Sequence, residues 1–120
     1  MDCLFCKIVE GSIPSNKVLE NDHVVVFHDI QPAAPTHVLV IPKKHIASMN
    51  EVTADDISLI GEIHLAAQEA AKRLGVDESG YRLINNCGKD GEQTVHHLHY
   101  HLLGGTRLGA LTSLSDSHKS

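Results

Sequence analysis

An α+β fold is predicted for this chain: a mostly antiparallel sheet of five strands, one long helix on a face of it, and a short N-terminal helix. Three observations lead there. Short Val-, Ile- and Phe-rich runs bounded by Pro, Gly, Asn and Asp recur along the sequence. One long segment, Ala54 to Leu74, carries an apolar stripe at helical spacing. The order is several strands, then that helix, then two more strands, with neither internal repeat nor domain linker. The 120 residues form one domain, with a core over about residues 3–105 and a loose Ser-, Thr- and Gly-rich tail over 106–120.

The elements follow in order. Leu4 to Glu10, ended by Gly11, reads as one or two helical turns, and Ile13-Pro14 breaks it. Lys17 to Glu20 is a short strand, and Asn21-Asp22 is a turn signal. His23 to Ile30 is the next strand, followed by the two-proline loop Gln31 to Thr36. His37 to Ile41 is a nearly continuous apolar run, expected of a central strand covered on both faces, and Pro42 ends it. Thr53 is placed to cap the long helix, with Asp55 and Asp56 in its first turn, where the helix dipole favours negative charge. Ile57, Ile60, Ile63, Ala67, Ala70, Ala71 and Leu74 form its stripe, and Gly75 suits the C-terminal end. Tyr81 to Asn86 and Val95 to Leu103 are the last strands, joined by the polar loop from Gly88 to Thr94.

Composition excludes several classes. With 42% hydrophobic residues the chain can bury a core, and no run approaches the ~20 apolar residues of a membrane span. The formal charge of -5 argues against a binder of nucleic-acid backbones but leaves a mononucleotide-sized ligand open. The first residues lack the basic and apolar regions of a secretory signal, so a cytoplasmic protein is expected. Three cysteines suggest no disulfide framework. Cys3 and Cys6 form a C-x-x-C pair, which in a reducing compartment points to metal or redox chemistry, and Cys87 reads as a small packed residue.

The ten histidines equal Lys and Arg combined, and four of them fall within the six residues from His96 to His101. On a strand, His97, His99 and His101 share one face, while Leu98, Tyr100 and Leu102 supply the packing face. Three imidazoles on one face make a poor apolar surface but a good anion or metal site. With an unperturbed pKa of about 6.5, a neutral ring can attack phosphorus while a neighbour donates a proton or carries charge. Gly88, Gly91, Gln93 and Thr94 lie just upstream and can offer amide and side-chain donors. His64 and His96 read as packing or surface residues.

The segment His97-Leu98-His99-Tyr100-His101-Leu102-Leu103 resembles the motif of the histidine-triad (HIT) superfamily. Phe27-His28-Asp29-Ile30, Ala34-Pro35-Thr36-His37, Val40 to His45, Gly91 to Val95 and the Leu103-Gly104-Gly105 ending extend the likeness toward its Hint branch of nucleotide-binding proteins. The resemblance implies a homodimer whose sheet continues across both subunits, with two purine-nucleotide sites (AMP or GMP). It implies hydrolysis of nucleoside 5′-phosphoramidates through a nucleotidyl-histidine intermediate, with no metal required for the chemistry. By the same likeness His99 is the nucleophile, His101 binds the phosphate, His37 belongs to the histidine relay and His97 completes the triad. Asp29 is expected on the ribose, Ile30 at the base, and Asn86, Gln93 and Thr94 near the phosphate. Relatives that place C-x-x-C before the triad imply a structural zinc on Cys3, Cys6, His45 and His97. The chain has no Trp, unlike animal members, which carry a Trp-containing segment after Gly-Gly that bears on the leaving group. Two other functions compete: a dinucleoside polyphosphate hydrolase, which the Leu-Gly-Gly ending disfavours, and a non-catalytic nucleotide or zinc binder.

Overall fold

The computed structural model describes residues 3–111. Helix α1 spans Leu4–Glu10, strands β1 Lys17–Glu20, β2 Val24–His28 and β3 Thr36–Pro42, helix α2 Ile57–Arg73, and strands β4 Tyr81–Asn85 and β5 Tyr100–Gly104. Two short 3₁₀ turns, Met49–Glu51 and Ala54–Asp56, precede α2. The sheet has five strands in the order β1-β2-β3-β5-β4. Every neighbouring pair is antiparallel. The predicted α+β architecture is therefore present, with β3 central as its apolar run demanded. The expectation for the tail over 106–120 lies mostly outside the described residues.

The ends of α2 follow from its sequence. Asp56 accepts from the Thr53 backbone N–H at 3.0 Å and is itself held by Lys44 at 2.6 Å. The hydrogen bond with Lys44, then that from Thr53, keeps the Asp56 carboxyl below its ordinary pKa. At the other end Gly75 takes φ +74°, where a side chain would be strained. Its N–H donates to Lys72 and that of Val76 to Ala71, closing the helix in a Schellman arrangement.

Two expectations need correction. Ile57 does not belong to the buried stripe and is 62% exposed, while Leu59 and Ile60 beside it pack against the core and Ala66 takes a place within it. The last strand starts at Tyr100 rather than Val95. Upstream of it the backbone groups find partners outside any ladder: Leu98 N–H donates to Ile46, and the His99 carbonyl accepts from the Asn85 side chain. The side chains still alternate, so Leu98, Tyr100 and Leu102 pack beneath α2. His97 and His99 lie on the opposite face against Phe5.

The sheet thus has two cores. Val24, Val26, Val38, Val40, Leu98 and Leu102 meet the small residues of α2 on one side. Val25, Phe27, Leu39 and Ile41 meet Phe5 and Ile8 of α1 on the other.

Candidate active site and cysteine-histidine cluster

Helix α1 covers only part of its face, and beside it lies a cleft of about 590 Å³. Its floor is Phe27 and Leu39, its α1 wall includes Phe5 and Ile8, and its polar end holds His99, His101, Asp29 and Thr94. Ile30 stands on its rim and is 94% exposed. Of the residues expected to bind nucleotide, Asp29, Ile30, Thr94, His99 and His101 line this cleft.

Hydrogen bonds fix the protons on the imidazoles, because a carbonyl only accepts and a backbone N–H only donates. Ala33 N–H donates to Nδ1 of His37 at 3.0 Å, so the His37 proton sits on Nε2. That Nε2–H donates to Nδ1 of His101 at 2.9 Å, and Asp29 lies 3.4 Å from the same nitrogen. His101, neutral, therefore carries its own proton on Nε2. His99 donates Nδ1–H to the His97 carbonyl at 2.7 Å, which leaves Nε2 as a bare lone pair. Burial holds His99 below its ordinary pKa. Burial, then the neighbouring His99 and His37, press His101 down to about 4. The rings of His99 and His101 are 5.2 Å apart. The cleft thus meets a lone pair from one ring and a proton donor from the next.

His97 does something different. Its ring is fully buried and does not line the cleft. Nε2–H donates to the Pro42 carbonyl at 2.8 Å, which turns the Nδ1 lone pair toward Cys3, Cys6 and His45. The ligand atoms of these four residues all lie within 4.8 Å of one another. Tetrahedral zinc at ordinary bond lengths requires edges of about 3.3 Å between nitrogens and about 3.5 Å between nitrogen and sulfur. The observed separations are 3.2 Å for His45 to His97, 3.3 Å for Cys3 to His97 and for Cys6 to His45, and 3.5 Å for Cys6 to His97. The donor set fits the ion, and the Pro42 carbonyl supplies the outer hydrogen bond that orients a ligating histidine. Burial, then Cys3, raises the Cys6 thiol to about 11, a balance that a coordinated cation reverses.

Asp29, His37 and His101 also bring ligand atoms within 4.8 Å. That cluster is ruled out as a metal site by its tautomer. A metal on His37 Nε2 would force the proton onto Nδ1, where Ala33 N–H already points.

Two expected contacts are not at the cleft. Gln93 is buried, and its amide is fully engaged: Oε1 accepts from Gly88 N–H at 3.0 Å, while Nε2 donates to the carbonyls of Ala47 and Val95. It staples the loop, and it occupies the Gly88 amide expected to serve an anion. Asn86 follows β4 outside the cleft lining. Its neighbour Asn85 holds the His99 carbonyl at 2.9 Å, and nothing in the sequence separates the two asparagines. Phe5 was also missed as a site residue; its ring centroid lies 5.1 Å from that of His99.

This fold and site define a class: a sheet that presents a chain of tautomer-locked imidazoles to a cleft of about 590 Å³. Residues 2–111 match the family model described as "Scavenger mRNA decapping enzyme C-term binding". A 13.2 kDa HIT-like protein of Azospirillum brasilense is 45% identical over 90% of this chain and 89% of its own length. A HIT family hydrolase from Legionella pneumophila superposes with a TM-score of 0.88 at 48% identity, covering 90% of this chain and 96% of the other. A histidine triad nucleotide-binding protein from Candida albicans gives 0.78 at 35% identity, covering 98% and 89%. The chain belongs to the histidine-triad superfamily.

Proposed function

We propose that this protein is a nucleotide-binding hydrolase that cleaves nucleoside 5′-phosphoramidates with His99 as nucleophile. The tautomer chain from Ala33 through His37 to His101, set against the opposite tautomer of His99, is the observation that carries the reading. The His99 Nε2 lone pair attacks phosphorus, the P–N bond breaks, and the nitrogen leaves as an amine after taking up a proton from water in the open cleft. His101 Nε2–H holds a phosphoryl oxygen as charge shifts onto it. Water then attacks the phospho-histidine, releasing the nucleoside monophosphate and restoring the ring. Asp29, oriented by the Gln31 N–H at 2.8 Å, takes the ribose hydroxyls, Ile30 flanks the base and Thr94 lies near the phosphate. The names of the Legionella and Candida proteins support the hydrolase and nucleotide parts of the reading. Incubation with adenosine 5′-phosphoramidate should trap protein heavier by one adenylyl group on His99. Wild-type turnover by His99→Ala would sink the assignment.

We also propose a structural zinc on Cys3, Cys6, His45 and His97. Bound there it would anchor α1 and activate no water, since protein fills all four places. Elemental analysis showing no metal would remove this part and leave the histidine chemistry standing.

The partner we propose is a second copy of the chain. β4 is an outer strand paired on one side only, Tyr81 on it is 38% exposed, and Leu65 on the outer face of α2 is 61% exposed. Light scattering should give twice the 13.0 kDa chain mass.

A further inference from the structure

Among the described residues one buried side-chain oxygen has no hydrogen-bond partner, Oγ of Ser15. An orphaned buried polar group calls for an explanation. Ser15 lies in the wall of the cleft, between Pro14 and Asn16, which line it too. Its place in the fold says which part of a ligand it meets. The cleft runs across the sheet from β5, which carries His101, over Leu39 on β3 and Phe27 on β2, to the segment just before β1. From β5 to β1 is three strand steps, about 14 Å at the usual spacing. Asp29 follows the end of β2, two strands from β5 on the way to β1, and its carboxylate reaches back to the polar end, 3.4 Å from His37 Nε2. With phosphorus at His99 and ribose at Asp29, the base reaches toward Ser15.

We propose that the Ser15 hydroxyl is a specificity-determining group that hydrogen-bonds the polar edge of the nucleobase. This inference rests on the nucleotide reading above and adds a residue to it. A serine hydroxyl both donates and accepts, so it suits a purine edge that offers ring nitrogens beside an exocyclic amine or carbonyl. The residue already lines the cleft, and its hydroxyl can turn about Cα–Cβ among staggered wells. An unpartnered hydroxyl gives up no hydrogen bond by turning, so the ligand gains the full value of the new one. The neighbouring lining, Ile13, Phe27 and Ile8, is apolar and holds the ring faces without choosing among bases.

The test compares AMP with ribose 5-phosphate, which has the sugar and phosphate but no base. Both are titrated by calorimetry into wild-type protein and Ser15→Ala, and apo melting temperatures are taken alongside. Ser15→Ala should weaken AMP about tenfold, leave ribose 5-phosphate unchanged, and not lower the apo melting temperature, because it removes an unsatisfied group. Unchanged AMP affinity, equal weakening of both ligands, or a lower apo melting temperature would each overturn the assignment. Wild-type protein that binds no AMP would instead overturn the nucleotide reading, and this inference with it.

Discussion

The two faces of the sheet are covered unequally. α2 has 17 residues and α1 has 7, which are lengths of about 26 Å and about 10 Å. Five strands span about 19 Å from β1 to β4. One helix can roof its whole face and the other cannot. The α2 side is closed with Ile63, Ala70, Ala71, Leu98 and Leu102 at 0–1% exposure. The α1 side keeps a cleft and gathers the buried histidines 37, 97 and 99. A helix of two turns is also too short to persist alone in water. Its position comes from Phe5 and Ile8 and from the cysteines at its N-terminus, Cys3 as cap and Cys6 in the first turn. The α2 face is closed throughout, while the α1 face combines a smaller core with the cleft and the candidate site.

The largest effect expected from that division is on the α1 face. His99→Ala should reduce phosphoramidate turnover at least about a thousandfold, roughly 4 kcal/mol of transition-state stabilisation. Its melting midpoint should fall less than that of Leu102→Ala. The latter leaves a cavity beneath α2 and should cost about 3 kcal/mol, or about 10–20 °C in Tm, with kcat per folded molecule within twofold of wild type. Thermal melts and active-site titration read both quantities. A Leu102→Ala protein that is folded but inactive would show that the faces are not independent.

How far the sequence reveals these faces depends on how local the cause is. β3 is legible because Val38 to Ile41 is apolar without break, and α2 because its period and its Gly75 end are written within one segment; Thr53, expected to cap α2, instead caps the 3₁₀ turn Ala54–Asp56 that leads into it. The face shared by His97, His99 and His101 is legible from parity alone. Where the ladder of β5 begins is not, because Ile46 and Asn85 decide it from far along the chain. The tautomers are illegible for the same reason: Ala33 and Pro42 set them through backbone groups that any residue could supply. Gln93 looked like a ligand contact because its type fits, yet three loop backbone groups claim its amide.

A smaller effect separates the helices themselves. Replacing Cys3 and Cys6 together by Ser removes two corners of the four-residue cluster. Amides of residues 4–10 should then exchange about ten- to a hundredfold faster, roughly 1.4–2.8 kcal/mol of local stability, while those of α2 are unmoved. A chelator should give the same pattern in wild-type protein if zinc is bound. KM should rise with α1 loosened, since Phe5 and Ile8 wall the cleft. Equal acceleration in both helices would mean that the cluster holds the whole fold rather than one face.

Acid should act on the same face with the smallest effect. His101 titrates at about 4 when folded, pressed down by burial and by His99 and His37, against about 6.5 in an unfolded chain. Between those values the unfolded chain holds a proton that the folded ring lacks, so unfolding is favoured as pH falls. The stabilising contribution is complete above pH ~6.5 and is lost progressively toward pH ~4. The full shift corresponds to at most about 3 kcal/mol, and partial solvent exposure brings it to roughly 1–2 kcal/mol. On the α2 side His64 lies edge-on to Tyr100 but is exposed to solvent and lacks the burial that acts on His101. Denaturant unfolding at pH 7 and pH 5 should therefore show a loss that His101→Gln reduces, because glutamine takes up no proton in either state. If the variant keeps the wild-type slope, His101 is not the group that acid reaches, and the sensitivity belongs elsewhere on the sheet.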